Sequence, residues 1–541
     1  MPASPSGTAT ITVPTLGSIS GLVYTNGVKQ FCGIPYATLK KRWSRSELTT
    51  SLPGGHHNGT DYGPIAPQPP EYRGDDDPMV PVKRLSHFPH VPPEDEFGCL
   101  NLNVAMPPDS LPGPHPVMVW IHGGSLLFGS SSHPTYDLVK LVSHSIDRGT
   151  PVVCVSLNYR VGLFGFLASR AIQTDLAACG QTGAGNFGLT DQQTGLAWVQ
   201  RYIAFFGGDT GNVTIFGESA GGMSVSYQVC AARPAVFHRS ISMSGNLNTI
   251  PVWTVEQHEK RYRALLVRVG IDPDDAKALE KLRAVPQETL VSATCPIDGT
   301  VATTGNACND GWFFSQPPAA DKIASPPAWL KSYMVGNVKD EAMIFRHTLE
   351  VADFALLRNT MTKHMSPSAV DRVLSLYGIV PDVPKSQFVV RVERMATDCL
   401  FHVQDRIHLR RSQVPSYGYH FDQVSTLNNP LEGLAYHAID LLYVFLNLWE
   451  EMTPGQQKLA LRVSGDFIDY AYGKEPWEQY GVAKRWRIYG PDDVYDLKTE
   501  AQDEAVRQYS RMDQILSFQE LGAWIAAVDD FVDQRYLMGT N

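Results

Sequence analysis

Short apolar runs bounded by glycine, proline or polar residues alternate along this chain with longer stretches of helical periodicity. Residues 117–121, 151–157, 213–216 and 333–336 read as buried strands. Between them, 191–205 carries Leu196, Val199 and Ile203 at helical spacing, and the pair Gly207-Gly208 stops it. Residues 10–13 and 21–24 alternate as hairpin strands do, whereas 64–93 is polar, rich in Pro and Asp, and reads as an irregular excursion. The stretch 251–329 is helical in its first half (256–269 and 273–283) and irregular in its second, as an insertion between two core strands would be. A C-terminal helix is predicted over 509–531, packed on the sheet. No repeat of 20–50 residues is visible. Strands alternating with helices predict the α/β class, a mostly parallel sheet with helices on both faces.

At 541 residues, a rule of about 150 per domain suggests roughly three or four domains. No Gly/Ser or Pro linker separates any such parts, so a single domain over 1–541 with an insertion around 251–329 is predicted. The composition, 43% hydrophobic and 18% charged, is that of a soluble globular chain able to bury a large core without metals or disulfides. Its 45 basic and 55 acidic residues leave a net charge of −10, with no basic run or stripe. Nucleic acid and anionic membrane are therefore not expected partners.

Residues 1–8 hold no basic residue and no apolar run, so they do not form a secretory signal as they stand. No uninterrupted apolar stretch is long enough to span a bilayer. A cytoplasmic protein is the expectation, or a secreted one whose leader was removed. The eight cysteines (32, 99, 154, 179, 230, 295, 308 and 399) are too dilute for a disulfide framework, and Cys154 reads as a small buried hydrophobe. With no Cys-x-x-Cys and no His-Glu-x-x-His, no metal or other cofactor is expected. The sequons at Asn58 and Asn212 are expected to be unmodified.

Gly217-Glu218-Ser219-Ala220-Gly221 is the chain's one Gly-x-Ser-x-Gly. The motif is short, but its setting is specific. A strand over 212–216 precedes it and a helix over 220–229 follows. So sharp a strand-to-helix turn admits only small residues two before and two after the serine, and it thrusts the hydroxyl out at the carboxyl end of the sheet. A serine hydroxyl needs a base within hydrogen-bond reach, and the base needs an orienting acid. In this arrangement the chain order is Ser, then Asp or Glu, then His. Asp340 and Glu341 both lie just past the strand at 333–336, and the pattern of residues leaves them as alternatives. Six histidines follow: His347, His364, His402, His408, His420 and His437. His420 sits inside a strand-like run and cannot swing over the nucleophile. His437, in a loop beyond that strand, which reads as the last of the core, and before the apolar run 439–448, is placed where a base belongs.

The chain resembles the type-B carboxylesterase family, which includes cholinesterases and some fungal lipases, over nearly its whole length. The match runs through Phe31-Cys32-Gly33-Ile34-Pro35-Tyr36-Ala37, Cys99-Leu100-Asn101-Leu102-Asn103, Asn158-Tyr159-Arg160, Asn186-Phe187-Gly188-Leu189-Thr190-Asp191-Gln192 and Phe206-Gly207-Gly208-Asp209 onward to Gly222. The resemblance implies an α/β-hydrolase fold. It selects Glu341 from Lys339-Asp340-Glu341 as the acid and His437, with Asp440, Tyr443, Val444 and Phe445 after it, as the base. It assigns the oxyanion donors to the backbone N–H groups of Gly124, Ser125 and Ala220. Ser244 matches a serine that steadies the acid and base in relatives, and Glu218 adds negative potential beside the nucleophile.

The chain also departs from the family. Ser125 stands where a third glycine is common, which narrows the site against bulky alcohols. Ala66 and Lys281 stand where two disulfide cysteines would be, which leaves Cys99 unpaired and fits a reducing compartment. The segment 66–99 has no tryptophan to meet a choline cation. Its centre, 71–77, is highly charged and lacks the apolar face of a lipase lid. The expected activity is serine-dependent hydrolysis of small to medium carboxylic esters through an acyl-enzyme. An acyltransferase or thioesterase would use the same triad, and a non-catalytic interaction protein is the remote alternative. The natural ester and the oligomeric state are not encoded in any motif.

Overall fold

The structure is a computed structural model that describes residues 4–70, 79–293, 305–318, 327 and 329–533. The charged stretch 71–77, Cys295 and much of the second half of 251–329 lie outside the described residues. Thirteen strands form the main sheet among those described, numbered here in chain order: β1 Pro5–Val13, β2 Gly17–Tyr24, β3 Lys29–Pro35, β4 His56–Asn58, β5 Asn101–Met106, β6 His115–Ile121, β7 Val153–Leu157, β8 Gly208–Glu218, β9 Arg239–Met243, β10 Ser332–Val338, β11 Ser416–Phe421, β12 Arg485–Tyr489 and β13 Tyr495–Thr499. Their spatial order is β1-β2-β3-β5-β7-β6-β8-β9-β10-β11-β12-β13, with β4 beside β2. The seven strands from β7 to β12 in that order are mutually parallel, and antiparallel pairs flank them. The α/β-hydrolase architecture follows from this sheet and its covering helices.

The apolar strands are buried on both faces because consecutive side chains point to opposite sides of a sheet. In β6, Val117, Val119 and Ile121 enter one core with Leu196 and Val199 of helix Phe187–Tyr202 and Val225 of helix Ala220–Cys230. Met118 and Trp120 enter the other, with Leu141, Phe216 and Phe467. Trp120 is fully buried, its ring edge-on to Phe445 at 5.0 Å and within 5.0 Å of Phe216. Phe445 ends the helix Asp440–Phe445 that follows His437, so this contact also ties the base loop to the centre of the sheet. Trp120→Ala is expected to cost about 3–5 kcal/mol of stability, measured by denaturant unfolding. A loss below about 1 kcal/mol would mean that this packing does not anchor the loop.

The structure corrects the sequence expectation at three places. The stretch 509–531 is two helices, Tyr509–Leu516 and Leu521–Asp533, broken where the Ser517 hydroxyl turns back on the Gln514 carbonyl. The second helix packs not on the sheet but on helix Phe354–Met361 and the turn Asp398–His402. Helix formation within 273–283 is confined to Ala278–Arg283, because the Asp272 and Asp275 side chains take up backbone N–H groups in the preceding turns. Finally, β11 is not the last core strand, since β12 and β13 extend the sheet beyond it. Between β9 and β10 lie helix Val255–Arg268, opened by a Thr254–Gln257 capping box, and a two-stranded ribbon of Trp253–Thr254 with Cys308–Asn309.

Candidate active site

Strand β8 lies mid-sheet between β6 and β9 and ends on Glu218. Ser219 follows with φ 56° and ψ −124°, and helix Ala220–Cys230 begins at once. Such backbone costs roughly 1–3 kcal/mol and persists only when its surroundings enforce it. Here the Ser219 N–H donates to the Met243 carbonyl of β9 at 2.9 Å, and the Ser219 carbonyl accepts the Met223 N–H at 2.9 Å. The flanking glycines are required by contact. A Cβ on Gly221 would stand 2.1 Å from the Ile121 carbonyl oxygen, and one on Gly217 would stand 2.5 Å from the backbone of Gly221. Ser219 is the most exposed residue of an otherwise buried turn.

The Gly-rich turn after β6 packs against this elbow. A Cβ on Gly123 would come within 2.7 Å of the Glu218 carbonyl oxygen and 3.2 Å of the Ser219 Cβ. Gly124 (φ 104°), Ser125 (φ 55°) and Leu126 (φ 57°) hold three successive left-handed conformations, closed by N–H bonds from Leu127 and Phe128 to the Gly124 carbonyl. The N–H groups of Gly124, Ser125 and Ala220 meet no acceptor among the described residues. His122 braces the turn from below. Its ring stacks on Tyr159 at 4.3 Å, and the Tyr159 hydroxyl donates to the His122 carbonyl at 2.8 Å. Burial pushes the His122 imidazole down to about 4, so it is neutral and structural. Gln68, from the irregular excursion, accepts the Gly129 N–H at 2.8 Å and holds the far end of the turn.

The two candidate acids turn to different partners. Glu341, fully buried just past β10, accepts the Val338 N–H through Oε1 at 2.8 Å, and its Oε2 lies 2.5 Å from His437 Nδ1. Asp340 turns the other way, accepting the Ala435 N–H at 2.9 Å while its own N–H donates to the Ala435 carbonyl. That reciprocal pair binds the acid loop to the base loop two residues before His437. His437 is itself buried. Its Nε2 has no aligned hydrogen-bond partner among the described residues and faces Glu218 Oε1 at 3.1 Å. Burial pushes the Glu218 carboxyl up to about 8. For His437, burial favours the neutral imidazole, but the Glu218 and Glu341 carboxylates more than reverse it and hold the imidazolium up to about 9. Asp440 is raised to about 7 by burial and accepts the Tyr419 hydroxyl at 2.8 Å.

The remaining histidines lie elsewhere. His420 is locked inside β11 between Asn337 and Tyr509, stacked on Trp486. His408 is in the core, His347 is exposed, and His364 pairs with Asp530. Ser244 does sit behind the elbow, with φ 46° and its N–H on the Gly336 carbonyl. Its hydroxyl is buried and has no hydrogen-bond partner among the described residues. Phe401, which the sequence pattern did not single out, packs edge-on against the His437 ring at 5.6 Å. It lies in a short π turn that leaves no periodic signal. Cys99 is a buried free thiol, Ala66 is buried, and Lys281 pairs with Asp275. No helix among the described residues is long and apolar enough to cross a membrane.

Comparison with known proteins agrees with this geometry. The model of the carboxylesterase family matches residues 7–522. Lipase 3 of Yarrowia lipolytica is 30% identical over 492 residues, which are 87% of this chain and 90% of that protein. The para-nitrobenzyl esterase of Bacillus subtilis is 31% identical over 501 residues, 87% of this chain and 91% of that one. A solved PNB esterase structure superposes with a TM-score of 0.73 at 26% identity, covering 94% of this chain and 99% of its own. With elbow, Gly-rich turn and acid–histidine pair gathered at one end of such a sheet, the chain belongs to the carboxylesterase family and is a carboxylic-ester hydrolase.

Proposed function

We propose that this protein hydrolyses carboxylic esters of small to medium organic molecules through an acyl-enzyme on Ser219. The observation that carries the reading is the 2.5 Å pairing of His437 Nδ1 with Glu341, which leaves Nε2, facing Glu218 Oε1, as the nitrogen that takes a proton once the ring is neutral. His437 removes the Ser219 proton as the hydroxyl oxygen attacks the ester carbonyl. The oxyanion is received by the N–H groups of Gly124, Ser125 and Ala220, each such donor contributing about 10²–10³ in rate. His437 returns the proton to the departing alkoxide, and the alcohol leaves. Water then adds to the acyl-serine with the same base assistance, releasing the acid and restoring Ser219. Fluorophosphonate labelling tests the nucleophile. Wild type is expected to take one label at Ser219, and Ser219→Ala none; labelling of the variant at another serine would remove the assignment.

The carboxylate of Glu218 sets the acid limb of the pH profile. Proton removal from Ser219 needs neutral His437, and the imidazolium persists up to about pH 9. Activity in kcat/KM therefore rises with pH through that range. Glu218→Gln removes one of the two negative charges facing the ring, so the limb is expected to move about one pH unit lower. A limb that stays in place would show that Glu218 does not act on His437. The same reading places the chain in a reducing compartment, supported by the free thiol of Cys99 and by Ala66 and Lys281 at the positions discussed above. Differential alkylation without reductant is expected to find no disulfide at Cys99.

A further inference from the structure

Helix Lys385–Thr397 runs into helix Val403–Arg411 through a π turn, Asp398–His402, in which the Val403 N–H reaches back five residues to the Asp398 carbonyl. A π turn inserts one residue into an α-helix and is often found at functional sites. In an α-helix, residues five apart stand about 140° apart around the axis, so Thr397 and His402 could not serve the same loop. The π register brings them onto one side, and both touch the acid loop. Thr397 Oγ1 accepts the N–H of Ala342, the residue after Glu341, at 3.0 Å. His402 Nε2 lies 3.0 Å from the carbonyl oxygen of Val338, the residue whose own N–H holds Glu341 Oε1. Between them, Phe401 packs on the His437 ring.

We infer that this π turn is a clamp that positions the Glu341–His437 pair, with His402 as its principal hydrogen-bond donor. The inference rests on the acid and base reading above. The Nε2 proton is assigned to His402 because the Val338 carbonyl can only accept; in the other tautomer the ring would donate from Nδ1 to Asp398 and accept from Arg507 Nη1. With the proton on Nε2, Arg507 Nη1, 3.2 Å from that same nitrogen, cannot donate to it. Burial, and after it the Arg507 charge, holds His402 below the ordinary imidazole range, which keeps the ring neutral in this role. Asp398 stands 3.3 Å from Nδ1 and is itself fixed by Arg394, Arg511 and the Tyr377 hydroxyl. The near end of the turn is thereby anchored to two neighbouring segments, through Tyr377 and Arg511, and its far end to the acid loop. The Leu400 carbonyl, inside the turn, also accepts the Thr249 hydroxyl at 3.1 Å, linking the clamp to the loop after β9. Glu341 is thus braced on both sides of its own position. His402 touches neither substrate nor reacting atoms; it is a positioning residue.

The test compares His402→Phe, which removes the donor and keeps a buried ring, with His402→Gln, whose amide can replace the donor. His402→Phe is expected to lower kcat roughly tenfold with KM within about twofold, because only the acid–base geometry is loosened. It is also expected to broaden or shift the far-downfield proton resonance of the His437–Glu341 bond. His402→Gln is expected to recover kcat to within about threefold of wild type and restore that resonance. If His402→Phe does not fold, Thr397→Val, which removes the other tie, is expected to show the same kcat-selective loss. Wild-type kcat and an unmoved resonance in His402→Phe, or in Thr397→Val in its place, would overturn the clamp. Equal impairment of the Phe and Gln variants would overturn the role of the donor. Glu341→Gln is the control that separates the two readings. If it stays nearly as active as wild type, the acid assignment fails; if it is inactive while His402→Phe is unaffected, the clamp alone fails.

Discussion

Ser219→Ala and His437→Ala are each expected to lower kcat for ester hydrolysis by about 10⁶, and the double variant to fall no further. A nucleophile and its base act as a unit. Without His437 the hydroxyl keeps its proton, and without Ser219 the base has no proton to take. The loss, about 8 kcal/mol at 1.36 kcal/mol per tenfold, should therefore appear once and not twice. What remains over the uncatalysed rate comes from binding and from the N–H groups of Gly124, Ser125 and Ala220, which neither variant touches. The fold should be unaffected by the serine change. Alanine keeps the Cβ of Ser219, so the φ 56° turn gains no new clash, and the backbone bonds to Met243 and Met223 stay intact. Circular dichroism and melting temperature would confirm this. A single variant that retains more than about a hundredth of wild-type kcat would mean that another group does its work.

The parts of this enzyme that could be read from its residues share a physical cause. Core strands such as β6 and β10 are short apolar runs because both faces are buried, and the elbow is legible because its glycines are forced by contacts as close as 2.1 Å. Local sterics leave a local signature. Asp340 and Glu341 could not be told apart by pattern, because both lie past the same strand end. What separates them is the direction of the turn, set by Ala435 on a loop 95 residues away. The break after Leu516 spans only a few residues, too short a feature to interrupt the apolar periodicity across 509–531. The π turn is illegible for another reason. Its single inserted residue changes no residue type and shows itself only in which side chains come to face the acid loop.

Glu341→Gln is expected to lower kcat by about 10⁴ while leaving KM nearly unchanged, and the reason lies in the Val338 N–H. In the wild type that N–H donates to Oε1 at 2.8 Å, and Oε2 receives His437 Nδ1. Glutamine must present its carbonyl oxygen to one of these partners and its amide NH₂ to the other. The Val338 N–H is part of the main chain at the end of β10 and cannot become an acceptor, so it claims the carbonyl. The NH₂ then faces Nδ1, which can accept only by giving up its proton. The imidazole is driven to the tautomer protonated at Nε2, the nitrogen that should receive the proton of Ser219. Geometry is kept and the base is lost. Nitrogen-15 chemical shifts of His437, recorded above the imidazolium range that ends near pH 9, would distinguish the two forms directly. Wild type should be protonated at Nδ1 and the variant at Nε2. A variant that loses less than tenfold in kcat, or keeps the proton at Nδ1, would show that the carboxylate holding the ring is not Glu341. Asp440 and Glu218 would then be the groups to replace next, since each is buried and bears electrostatically on His437.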